Sequence, residues 1–248
     1  MGHAALNTAW LALQYGAKGM DQMRNVIVTV MLASAGWLLQ AQDLPHAFPR
    51  VGAVQLVDND RVTMWDVTWY KGKPSPMHRH RDDLVGVYLV GSAIKVTRPD
   101  GTSNVSTVEP GFILFQKAGV THIEEGMADV PRHAILTDLK GGPAGAMANS
   151  SGHPAAFPCA GATQAVDNEK VTIWEYAWAP GKSTGMHFHD KDTLAVFLSD
   201  GELKSTTADG KSEVTKVKRG DARFSPRGRV HAEELVSGAV RAVITELK

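Results

Sequence analysis

Gly72-Lys73-Pro74-Ser75-Pro76-Met77-His78-Arg79-His80 and Gly181-Lys182-Ser183-Thr184-Gly185-Met186-His187-Phe188-His189 share one layout: a glycine, five residues and a His-x-His pair. The two stretches lie 109 residues apart, and the same offset aligns the chain on either side of them. Downstream, His122-Ile123-Glu124-Glu125 returns as His231-Ala232-Glu233-Glu234. Upstream, VDNDRVTMW ending at Trp65 returns as VDNEKVTIW ending at Trp174, and Pro45-His46-Ala47-Phe48-Pro49 returns as Pro154-Ala155-Ala156-Phe157-Pro158. Roughly two residues in five are identical in this register, so the chain carries a duplicated domain. The copies are placed at residues 43–142 and 153–248, each a plausible small domain, with the Gly-, Ala- and Ser-rich stretch 143–152 as a linker.

Within a copy the apolar residues recur in short β-rich runs rather than at helical spacing. The first copy has VTMWDVTWY, LVGVYLV, AIKVT, FILF and AILTDL, and the second has VTIWEYAW, LAVFL, ELKSTT, ARFS and AVITEL. Turn chemistry separates them, including an Asp-Gly pair in each copy, Asp100-Gly101 and Asp209-Gly210. The expected fold is all-β, with two tandem antiparallel barrels or sandwiches. Trp65 and Trp69, repeated as Trp174 and Trp178, fall on one strand face and read as core or inter-barrel packing rather than a substrate platform.

The 248 residues carry 26 Lys+Arg against 26 Asp+Glu, which removes the electrostatic ground for expecting a nucleic-acid partner. Cys159 is the single cysteine, so a metal here must rely on His, Asp or Glu. Residues 1–42 read as an export segment: Met23-Arg24, the apolar run Val26 to Leu39, then polar Gln40 to Asp43. A buried core helix or an uncleaved anchor are the other readings of that run. Export predicts a secreted or periplasmic protein with no stable membrane insertion after processing.

Alternate residues of a strand share a face, so His78 with His80, and His187 with His189, can aim two imidazoles at one interior point. His122 and His231 supply a third from a neighbouring strand, giving two facial three-histidine sets with open positions for water or substrate. The expected cofactor is a divalent metal ion, with Fe, Mn, Ni, Zn and Cu all open.

These motifs resemble those of the cupin family. Gly72 through His80, ending near Gly91, and Gly181 through His189 look like the first cupin motif. Gly220 through Pro226-Arg227-Gly228-Arg229-Val230-His231 looks like the second, and Gly111 through His122 matches it with Lys117 in place of the proline. The resemblance implies a bicupin, two jelly-roll barrels each with an internal metal site. It also implies a glutamate four residues after the second histidine, where this chain has Leu84 and Thr193. Asp83 and Asp192 sit one residue earlier, on the opposite face by strand alternation. Glu124 and Glu233 share a face with the third histidine of their copy, and are expected as direct ligands, as outer acceptors for a ligand histidine, or as solvent-exposed strand-end charges.

The leading functional expectation is a secreted metal-dependent bicupin of oxygenase type acting on a small organic substrate. The rival class is a non-catalytic module that holds a metal or small ligand. A third reading keeps one active barrel and one structural copy, with Lys117 marking the first as the more divergent. Self-association into a homo-oligomer is compatible with any of these.

Overall fold

The structure, a computed structural model, describes residues 44–142 and 145–248. The export segment and its apolar run lie outside the described residues. The chain divides into the units Met1–Pro45 and His46–Lys248. The second is built of strands, with no helix among the described residues.

The first copy contributes β1 (Ala53–Asp58), β2 (Val62–Trp69), β3 (His78–Arg79), β4 (Asp83–Val90), β5 (Ile94–Thr97), β6 (Ser103–Ser106), β7 (Ile113–Gln116), β8 (Thr121–Gly126) and β9 (Arg132–Leu139). They form a five-stranded sheet, β1-β2-β9-β4-β7, and a four-stranded sheet, β3-β8-β5-β6, with every pairing antiparallel. The second copy repeats the pattern with β10 (Ala162–Asp167), β11 (Val171–Ala177), β12 (His187–Phe188), β13 (Thr193–Phe197), β14 (Gly201–Thr207), β15 (Ser212–Val217), β16 (Ala222–Ser225), β17 (Val230–Gly238) and β18 (Arg241–Leu247). Its sheets run β10-β11-β18-β13-β16 and β12-β17-β14-β15. These are two jelly-roll barrels.

The parity of each strand decides what its side chains meet. In β2, Trp65, Val67 and Trp69 face into barrel 1, where they pack with Leu84, Tyr88, Ala134 and Leu136 of the same sheet and Ile94 of the other. The alternate residues Val62, Met64, Val85, Val87 and Ile135 join Val171, Ile173, Leu194, Val196 and Val243 of barrel 2 in one shared cluster. Each five-stranded sheet is therefore covered on both faces, which is why LVGVYLV reads as a nearly unbroken apolar run. Trp174 and Trp178 line the interior of barrel 2 as Trp65 and Trp69 line barrel 1.

Ion pairs join the barrels at the rim of the shared cluster. Arg61 Nε lies 3.3 Å from Asp192 Oδ2. Lys117, which replaces the motif proline, pairs with Glu169 of the other barrel and lies 3.6 Å from Asp83. Asp83 and Asp192 themselves accept main-chain N–H groups, from Ala118 and Arg227, each closing the turn ahead of the third histidine. The stretch expected as a linker is tied to barrel 2, since Met147 N donates to Asp190 O at 2.7 Å and Arg227 Nη1 donates to Gly145 O at 2.9 Å.

Candidate metal centres

The glycines that open the histidine motifs sit at positive φ, +65° at Gly72 and +66° at Gly181, a conformation that a side chain would strain. The turn they make brings the following residues onto the third-histidine strand. Ser75 N donates to Glu124 O at 2.8 Å, and Glu124 N returns to Ser75 Oγ at 3.0 Å. Thr184 and Glu233 repeat both bonds at 2.8 Å. These bonds fix the register that places His78 directly opposite His122, and His187 opposite His231. Residues paired in this way share a face at Cβ distances of about 4.5–5.5 Å. His80 and His189 follow on the same faces, each donating its main-chain N–H at 2.9 Å, to Val120 O and Arg229 O respectively.

Three imidazoles converge in each barrel, with one nitrogen from each lying within 4.8 Å of the others. His80 Nε2 and His122 Nε2 are 3.2 Å apart, and His189 Nε2 and His231 Nε2 are 2.9 Å apart. Such separations suit two ligands about 2.0–2.1 Å from one ion. The outer nitrogens decide the tautomer. His78 Nδ1 donates to Pro76 O at 2.9 Å and His187 Nδ1 donates to Gly185 O at 3.0 Å, leaving Nε2 as the lone-pair nitrogen of each ring. His78 Nε2 is buried with no hydrogen-bond partner, a cost that a coordinated ion would relieve. Burial lowers the pKa of His78 to about 4 and of His80 and His189 to about 3. His231 falls to about 2, through burial and then Arg229 beside it. All four are neutral imidazoles at neutral pH. The donor set and its orphaned nitrogen fit a divalent ion.

Both glutamates turn inward with their histidines. Burial pattern alternates strictly along β8, with His122, Glu124 and Gly126 buried. Glu124 Oε2 lies 2.8 Å from Arg50 Nη1, and Oε1 is 3.9 Å from His122 Nε2, beyond hydrogen-bond reach. Burial alone would raise the Glu124 pKa, but Arg50 first, with His122 and Trp69, together more than offset it and bring it down to about 2. Arg50 also lies 5.3 Å over Phe48 and 5.5 Å over Trp69, two rings of the barrel 1 core. Glu233 instead accepts a hydrogen bond from Trp178 Nε1 at 3.0 Å, and burial raises its pKa. The converging histidines thus use Pro76 O, Gly185 O and Ser205 Oγ as outer partners, the last 3.1 Å from His231 Nδ1.

Barrel 2 holds a cavity of about 550 Å3 that reaches His187, His189, His231 and Glu233 between walls of Phe157, Tyr176, Trp178 and Phe197, with Arg223 and Arg229 on its lining. Arg50 of barrel 1 corresponds to Cys159, and Arg229 of barrel 2 to Val120. These two arginines were absent from the sequence-derived site, although Arg229 lies two residues before His231 and the same parity that selected Glu233 selects it.

A relative in Pseudomonas aeruginosa, the β-alanine degradation protein BauB, is 36% identical over 101 residues, which is 40% of this chain and 99% of BauB. That relative therefore has the length of one copy. Among solved structures, a cupin 2 conserved barrel domain protein from Leptotrichia buccalis superposes with a TM-score of 0.53 at 16% identity, covering 79% of this chain and 88% of the other. An oxalate decarboxylase variant from Bacillus subtilis superposes with a TM-score of 0.55 at 11% identity, covering 83% and 75%. No protein-family model matches the chain. The two superpositions speak to fold alone.

Proposed function

We propose that this chain, which belongs to the cupin superfamily as a two-barrel member, a bicupin, is a metal-dependent enzyme whose reaction takes place in barrel 2 on a small organic substrate. The observation that carries the reading is the barrel 2 cavity, where three neutral imidazoles meet open volume. A divalent ion held there supplies Lewis-acid polarisation of a coordinated oxygen. The chain's own residues do the rest. Gly185 O orients His187 through its Nδ1–H. The aromatic walls exclude water and so strengthen charge interactions inside. Glu233, whose pKa burial raises, is placed to exchange a proton with a bound molecule, and Trp178 keeps its carboxyl group turned to the cavity.

Barrel 1 is the structural copy in this reading, since Arg50 and Glu124 occupy the corresponding interior while its three histidines remain able to hold an ion. The printed name of the Pseudomonas relative, and a manganese-containing oxalate decarboxylase among the fold neighbours, support a role in small-molecule metabolism with a metal such as manganese. Export to the periplasm or beyond is part of the proposal and rests on the amino-terminal segment. The test is turnover of small carboxylic acids, diketones and thiols, followed by oxygen uptake and carbon dioxide release. Turnover that a chelator abolishes and that E233Q reduces by about 10²–10⁴-fold is expected. A metal-loaded protein inert towards all of these would favour the binding-module alternative.

A further inference from the structure

Arg229 is half-buried on the lining of the barrel 2 cavity, and no described carboxylate lies within ion-pairing distance of it. Its Nη2 is 3.1 Å from His231 Nδ1. That contact competes with the metal role of the ring. A His231 that offers Nε2 to an ion carries its proton on Nδ1, where Ser205 Oγ, at 3.1 Å, can accept it and a guanidinium cannot. Holding an ion therefore releases the Arg229 guanidinium from His231, with the open cavity on its other side. A second arginine, Arg223, lines the same cavity, stacked 5.1 Å over Phe197 with its Nη2 3.5 Å from Lys216 O. The one carboxylate among the described lining residues, Glu233, is engaged by Trp178.

Barrel 1 is the internal control. The position of Arg229 is Val120, and that of Arg223 is Leu114. Its interior cation, Arg50, is already matched by Glu124 at 2.8 Å. Duplication thus left one barrel with an interior arginine ion-paired to its glutamate, and the other with an arginine on the lining of an open cavity that makes no ion pair among the described residues.

We propose that barrel 2 binds a small organic carboxylate, anchored by the Arg229 guanidinium beside the three-histidine centre, and that barrel 1 does not. A carboxylate meets a guanidinium through two parallel hydrogen bonds and also offers oxygen to a divalent ion. The aromatic walls suit a carbon skeleton better than a strongly hydrated phosphate dianion. This names the substrate class of the proposed reaction and rests on that reading of barrel 2.

Benzoate is the probe, with benzamide as its uncharged isostere and inorganic phosphate as the competing anion. Each is titrated calorimetrically into the full chain loaded with Mn2+, and metal per chain is measured separately on the same samples. Benzoate is expected to bind at least tenfold more tightly than benzamide or phosphate. R229Q should weaken benzoate tenfold or more while metal per chain stays as in the wild type. R229K, which keeps the charge and loses the fork, should fall between. C159R, which installs the barrel 1 arginine, should pair with Glu233 and exclude benzoate, so it tests the idea independently should R229Q fold poorly. Unchanged benzoate affinity in R229Q, no benzoate binding to the loaded wild type, or equal binding of benzamide or phosphate would overturn the proposal. A wild type that takes up no metal overturns the metal reading instead, and the benzoate affinities of wild type and R229Q then still decide the role of Arg229.

Discussion

His46 shows how a single residue can carry a difference between the two copies. Its Nε2 lies 3.2 Å from Asp138 Oδ2, the same oxygen that accepts Trp65 Nε1–H at 3.0 Å, and Asp138 is buried. In the second copy the position of His46 is Ala155, and the buried carboxylate there, Glu246, takes Trp174 Nε1–H at 2.9 Å with Lys191 3.7 Å away. The hydrogen bond to Asp138 raises the His46 pKa above its ordinary 6.5, against the opposing effect of burial. A histidine whose folded pKa is raised contributes stability that is full below 6.5 and is lost as pH rises through the folded value. H46Q is therefore expected to unfold at a lower temperature than the wild type in mildly acidic solution, with the gap closing as pH rises. Thermal unfolding of both proteins across that range checks this, and parallel profiles would count against it.

Among elements, β8 and β17 position the chemistry, because each pairs a third histidine with a first and carries an inward glutamate two residues on. β8 ends where Gly126 runs against the chain after β2. A Cβ on Gly126 would fall 2.4 Å from Trp69 O and 2.7 Å from Tyr70 O, both main-chain atoms that cannot turn aside. G126A should cost about 1–3 kcal/mol, the usual range for overpacking, and denaturant titration would show it as a lowered midpoint. A midpoint equal to that of the wild type would mean the strand end shifts freely. The apolar strands β2, β4 and β9 were legible from their runs, and β3 and β8 from the spacing of their histidines. β1 and β6, with β10 and β15, were not, since AVQLVD and SNVS are exposed or half-exposed strands held by pairing rather than by an apolar face. Glu124 was legible as inward from parity, but its partner was not. Arg50 lies 74 residues earlier in the chain, and only the closed barrel brings the two together.

For the whole molecule, the shared cluster makes two barrels one folding unit. Met64, Val87 and Ile135 of barrel 1 are buried against Ile173, Val196 and Val243 of barrel 2, so neither copy keeps its five-stranded sheet covered alone. I135A is expected to destabilise by about 2–5 kcal/mol and to lower a single calorimetric transition rather than one of two. Two separable transitions would show that the barrels fold independently. The shared face constrained both copies, while the interiors diverged at Arg50 and Arg229. Elemental analysis of the purified chain, wild type beside H187A/H189A and H78A/H80A, asks whether the converging histidines hold divalent metal. One ion for each barrel is expected, with the ion of barrel 2 lost in the first variant and that of barrel 1 in the second. Metal absent from the folded wild type, or retained in full by H187A/H189A, would contradict it.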